Sequence, residues 1–127
     1  MIEFDTSLQT GNKLIDDQHR HLIGIFNTIE SNSYISVEDI LKELSDYISY
    51  HFSIEENLLK KYSYPDANNH IIEHKEYIDK INNFIKNYGS DESILYEIDA
   101  FLIRWIIVHI KNSDQAYARY FKEKGIF

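Results

Sequence analysis

The chain has no cysteine, which excludes disulfide staples, thiolate zinc sites and iron–sulfur clusters. One proline and four glycines among 127 residues leave few places for tight turns, which favours long helices over many short strands. Basic residues are scarce as well: 13 Lys and Arg stand against 21 Asp and Glu, a formal net charge of −8. No Lys/Arg stripe offsets that charge, so nucleic acid is not an expected partner. Long apolar runs are missing too. The longest, Ala100 to Ile110, contains Arg104 and His109 and is too short to cross a bilayer, so no membrane partner is expected. The opening MIEFDTSLQTGN lacks the basic head and apolar run of a secretory signal, which makes a cytoplasmic location the expectation.

The aromatic share is high, with 10 Tyr, 7 Phe and 1 Trp, enough to build a core without cross-links. Residues 1–127 read as a single domain. After an arm carrying Ile2, Phe4 and Leu8, a helix starting between Asn12 and Asp17 has the buried stripe Ile15, His19, Leu22, Phe26, Ile29. Ser31 to Ser36 breaks it, and Ser36 with Asp39 resembles a capping pair. The second helix runs to about Tyr62 on the stripe Leu41, Leu44, Ile48, His51, Glu55, Leu58, Tyr62. Pro65 marks the next break. A third helix places His70, His74, Tyr77, Ile81, Phe84 and Tyr88 on one face, with Gly89 as its stop. Ser90 caps a fourth, with Asp91 and Glu92 in its first turn and Ile94, Ile98, Leu102, Trp105 and His109 in register. A short helix after Asp114 carries Tyr117, Tyr120 and Phe121. The expected fold is all-α: an antiparallel up-down-up-down four-helix bundle with an extended N-terminal arm and a short C-terminal helix.

Five of the six histidines fall into an array with two carboxylates: His19, the pair His51 and Glu55, the pair His70 and His74, and His109 followed by Asp114. Those within helices lie on the apolar stripes, where an ionisable group needs a partner or a metal. Each pair alone also suits a solvated helix face, His19 alone suits a core or surface histidine, and Asp114 suits a cap for the last helix. The spacing from His109 to Asp114 does not keep both on one α-helical face, so the helix is expected to end or loosen at Lys111–Ser113. His21 points roughly 160° away from His19 and reads as solvated. Antiparallel alternation brings early positions on the first and third helices level with late positions on the second and fourth. Seven converging N and O donors exceed what one zinc takes and suit a pair of iron ions.

The segments IDDQH (15–19), HFSIEENLL (51–59), YPDANNHIIEH (64–74) and WIIVHIKNSD (105–114) resemble the hemerythrin family, in particular its single-domain bacterial members. TGNKLIDDQH extends the likeness towards the start, and all seven ligand positions carry the family's residue types. Phe4 stands where Trp is common and Leu59 where Met is frequent. The resemblance implies two non-haem iron ions bridged by an oxo or hydroxo group. His70, His74 and His109 would hold one, His19 and His51 the other with an open position, and Glu55 and Asp114 would bridge. It further implies that O₂ binds end-on at the five-coordinate iron as a hydroperoxide, and that the protein is not an enzyme but an oxygen store, carrier or sensor.

The charge arithmetic agrees with this, since electrons and one proton move within the site while its total charge stays the same. Ferritin-like di-iron proteins use mostly carboxylates, whereas five imidazoles favour holding and releasing O₂. By the same resemblance Phe52, Trp105, Ile106, Ile110 and Tyr117 line the O₂ pocket, each with plain core packing as the alternative. Gln18, beside His19, is expected to face solvent, with support of a ligand as the alternative. An oxygen-receiving or redox protein is the expected counterpart, its identity open. A di-iron enzyme acting on O₂, peroxide or NO and an iron buffer are the competing functions.

Overall fold

In a computed structural model the described residues are 2–87 and 93–127, and among them there is no strand. Five α-helices follow one another: α1 (Lys13–Glu30), α2 (Val37–Lys61), α3 (Ala67–Asn87), α4 (Ser93–Trp105) and α5 (Gln115–Glu123). A π-helical segment, Ile106–Asp114, joins α4 to α5 without a break. Helices α1 to α4 pack as a closed ring of neighbours, α1 on α2, α2 on α3, α3 on α4 and α4 back on α1. This is the four-helix bundle expected from the stripes. No helix among the described residues is long and apolar enough to cross a membrane.

Local chemistry sets most helix ends. The Asn12 side chain accepts from Ile15 N–H at 3.1 Å and starts α1, and Ser36 Oγ accepts from Asp39 N–H at 3.1 Å to start α2. Both helices end in paired reverse hydrogen bonds around a left-handed residue. At α1, Asn32 (φ 56°) lets Ser33 N–H reach Thr28 O at 3.0 Å and Asn32 N–H reach Ile29 O at 3.2 Å. At α2, Ser63 (φ 54°) lets Tyr64 N–H reach Leu59 O at 2.9 Å. Tyr62 therefore lies past the helix and is exposed, and Leu59 takes the last buried place of the stripe. The expected stop at Gly89, the cap at Ser90 with Asp91 and Glu92, and the face position of Tyr88 lie outside the described residues.

The arm is extended except for one 3₁₀ turn, Thr6–Leu8. It is pinned at three points: Leu8 is buried in the main core, Asn27 exchanges two hydrogen bonds with the Ile2 backbone, and buried Asp16 accepts from Thr10 N–H, Thr10 Oγ and Gly11 N–H. Two apolar cores result. The larger contains Phe26, Leu44, Ile48, Phe52, Ile98, Leu102, Trp105, Ile106 and Ile110. The smaller gathers Leu59, Ala67, Tyr117, Ala118 and Phe121 under α5.

Candidate metal centre

All seven residues singled out by spacing meet in one place, each buried to 3% exposure or less. Helix α1 supplies His19, α2 supplies His51 and Glu55, α3 supplies His70 and His74, and the π-helical segment supplies His109 and Asp114. His21 is exposed and stacks on Tyr47 at 4.1 Å instead.

The expected loosening at Lys111–Ser113 is present and starts earlier in the chain. The helix does not end; it widens from Ile106 onward, and Gln115 N–H reaches back to Ile110 O. Hydrogen bonds from i to i+5 widen the turn beyond that of an α-helix, which brings Asp114 back towards the face of His109. Asp114 makes no side-chain capping bond to α5, so its carboxylate is left for the site.

Each carboxylate divides its two oxygens between two histidine groups. Glu55 Oε1 lies 2.7 Å from His70 Nε2 and 2.9 Å from His74 Nε2. Asp114 Oδ1 lies 3.0 Å from His109 Nε2 and 3.2 Å from His70 Nε2. The second oxygens turn the other way: Asp114 Oδ2 is 3.2 Å from His19 Nε2, and Glu55 Oε2 is 3.5 Å from His51 Nε2 and 3.8 Å from His19 Nε2. Two overlapping donor groups follow, one of Glu55, His70, His74, His109 and Asp114, the other of His19, His51 and Glu55.

The outer ring nitrogens explain why Nε2 faces inward. His51 Nδ1 donates to Gln18 Oε1 at 2.7 Å, His74 Nδ1 to Glu56 Oε2 at 3.0 Å, and His109 Nδ1 to Glu73 Oε1 at 3.3 Å. Ser113 Oγ donates to both Glu73 oxygens, at 3.0 and 2.9 Å. A proton held on Nδ1 leaves the Nε2 lone pair free, the arrangement that orients metal-binding imidazoles. Gln18 is thus 3% exposed and does not face solvent as expected. Its α1 flank meets His51 only once α2 is docked.

Sequence reasoning gave Glu56, Glu73 and Ser113 no role at the site. The available signal was adjacency: Gln18 precedes His19, Glu56 follows Glu55 and Glu73 precedes His74, so each sits beside a ligand and reaches a histidine on a neighbouring segment.

The donor set fits cations on its own geometry. His74 and His109 Nε2 stand 3.1 Å apart, as do His19 and His51 Nε2. Lone pairs brought that close repel unless a proton or a cation lies between them. Both Asp114 oxygens are fully buried with no aligned hydrogen-bond donor among the described residues, a costly state for a carboxylate.

Without metal, protons take the cation's part. Burial opposes the charged form of His70, but the Asp114 and Glu55 carboxylates outweigh it and push its pKa up to about 9. His109 is raised well above the usual value against the same burial, chiefly by Asp114. Burial likewise opposes the charge of Glu55, yet the facing imidazoles of His109, His70 and His74 hold it well below the carboxylate range. Asp114 is lowered by His109 and His19 against its own burial and the charge of Glu55. Glu73 is lowered by its hydrogen bond from His109. His51 behaves oppositely: burial dominates and drops it to about 3.

The five side chains expected to line a pocket are all buried but lie in two cores. Phe52, Trp105, Ile106 and Ile110 belong to the larger one. Phe52 stacks on His74 with centroids 3.7 Å apart, and Trp105 stacks on His109 at 5.6 Å. Tyr117 belongs to the smaller core, packs edge-on against His70 and donates its hydroxyl to Glu55 Oε2 at 2.9 Å.

Comparison with known proteins finds similarity over most of the chain. The model of the hemerythrin HHE cation binding domain matches residues 10–121. A bacteriohemerythrin of Stenotrophomonas maltophilia is 30% identical over 93% of this chain and 80% of its own length. One from Clostridium acetobutylicum is 32% identical over 92% of this chain and 98% of its own. A hemerythrin-like protein of Naegleria gruberi is 31% identical over 90% and 88%.

Proposed function

The chain belongs to the hemerythrin family, and from that premise we propose that it binds two non-haem iron ions at the buried centre and uses them to bind O₂ reversibly. The role is oxygen storage, delivery or sensing, without catalytic turnover, and with a separate protein as the oxygen-receiving or redox counterpart. His70, His74 and His109 would hold one ion and His19 and His51 the other, with Glu55 and Asp114 available to both. The observation that carries this is the division of the carboxylates, with Oε1 and Oδ1 turned to one histidine group and Oε2 and Oδ2 to the other. A pair of irons bound there would supply the reversible two-electron chemistry that holding O₂ requires.

The chain's own residues support holding over turnover. Five neutral imidazoles around two carboxylates give a less anionic site than carboxylate-rich di-iron centres, which disfavours oxidation beyond the ferric state. Phe52 and Trp105 lie against the ligand rings and exclude water and its protons from that side. The test is iron content together with the optical spectrum of the anaerobic ferrous protein as oxygen is added and removed. Two irons per chain and a charge-transfer band that comes and goes with O₂ are expected. A bleached product that never returns to the ferrous spectrum, or sustained O₂ consumption with a reductant, overturns the carrier reading.

A further inference from the structure

We infer that the two ions enter in a fixed order, the first at His70, His74 and His109 and the second at His19 and His51, with Glu56 and Glu73 as positioning residues that set the difference. This rests on the two-ion reading above.

The inner donors are unequal. Three imidazoles with Glu55 and Asp114 already surround a single centre, at separations of 2.7–3.2 Å for four of their oxygen–nitrogen contacts and 3.8 Å for the fifth, His109 to Glu55. The other group has two imidazoles, and two of its three oxygen contacts are longer, at 3.5 and 3.8 Å. An ion there has fewer partners and must draw them in. The first ion also neutralises part of the charge on the shared carboxylates, so the second meets a weaker field.

The outer partners are unequal in the same direction. His74 Nδ1 donates to Glu56 and His109 Nδ1 to Glu73, both carboxylates. Glu73 is itself fixed by the Ser113 hydroxyl. A carboxylate that accepts the Nδ1 proton raises the electron density at Nε2 and adds negative charge near the ion. His51 Nδ1 has only the neutral Gln18 amide, and His19 Nδ1 has no partner among the described residues. An amide fixes the tautomer without adding charge. Glu56 and Glu73 are partly exposed, at 23% and 36%, so they act on the site without being part of the buried core.

The test is anaerobic calorimetric titration of the metal-free protein with Fe(II). Wild type should show two resolved steps of one ion each. Glu56→Gln and Glu73→Gln keep an acceptor for Nδ1 but lose its charge; each should weaken the tighter step by about 10–100-fold and leave the weaker one unchanged. Gln18→Ala should weaken only the second step. His74→Ala should remove the tighter step and His51→Ala should spare it. If a histidine variant fails to fold, the two partly exposed glutamates still decide the question. Uptake of both ions in one unresolved step, or Glu→Gln changes that weaken both steps equally, overturns the ordered filling alone. A wild-type stoichiometry other than two ions overturns the function reading on which it rests.

Discussion

Tyr117 donates its hydroxyl proton to Glu55 Oε2 across 2.9 Å, the same oxygen that faces His51 and His19. A fully buried phenol is thereby tied to a carboxylate shared by both histidine groups. Burial first, then the charges of Glu55 and Asp114, push the Tyr117 pKa well above its ordinary value, which keeps the hydroxyl a donor. Tyr117→Phe should cost the metal-free protein about 1.5–3 kcal/mol, the range for a hydrogen bond to a charged group. Denaturant unfolding measures it, and an unchanged midpoint would show that the bond contributes nothing. In wild type, at least one of the ten tyrosines should resist ultraviolet pH titration until the chain unfolds.

The metal-free protein should lose stability on both sides of neutrality, for different histidines. His51 has its folded pKa depressed to about 3, so between about 3 and about 6.5 the unfolded chain binds the extra proton. Its contribution is present above about 6.5 and lost as pH falls towards 3. His70 has its folded pKa raised to about 9, so its contribution is full below about 6.5 and lost as pH rises through about 9. Denaturant midpoints measured from pH 4 to pH 10 should trace a maximum between these limits. Loading iron at pH 7 should release the protons held on His70 and His109, detectable by repeating the calorimetry in buffers of different ionisation enthalpy. Iron uptake without proton release would contradict this assignment.

Much of this was legible in the sequence because a helical stripe and a ligand set select the same residues. Ile15, His19, Leu22, Phe26 and Ile29 are all buried as their spacing required, and rejecting His21 by helix phase agrees with its exposure. The outer shell was not legible. Glu56 and Glu73 sit off the stripes and acquire a role only through distances between helices, to His74 and His109. Gln18 reads as a flank residue until α2 places His51 beside it. The widening at Ile106 was half visible: the spacing from His109 to Asp114 demanded a departure from α-helix, but nothing local said that it begins three residues before His109.

The distinction among polar residues gives a direct test by substitution. Glu55→Ala removes a carboxylate reached by all five buried histidines, and Asp114→Ala removes one reached by His19, His70 and His109. Either change should cut retained iron well below two per chain, because both donor groups lose an oxygen. His21→Ala removes only a surface stack with Tyr47 and should leave iron content unchanged and unfolding free energy within about 0.5 kcal/mol of wild type. Metal analysis after gel filtration reads the difference, and equal loss from all three would mean that burial had picked the wrong histidine.

The π-helical segment is where iron should change the backbone most. From Ile106 to Asp114 the chain keeps a wide turn that is rare over such a length. His109 and Asp114 lie at opposite ends of one such turn, so a shared ion fastens it at both ends. In the metal-free protein, amides of residues 106–114 should exchange faster than those of neighbouring α4. Iron loading should slow them by about tenfold or more, since an ion bound only to the closed form stabilises it by mass action. The first turns of α2 carry none of the donors, so they should slow much less. Equal slowing at both places would mean that iron stabilises the bundle globally, and the wide turn would then need a cause other than the ion.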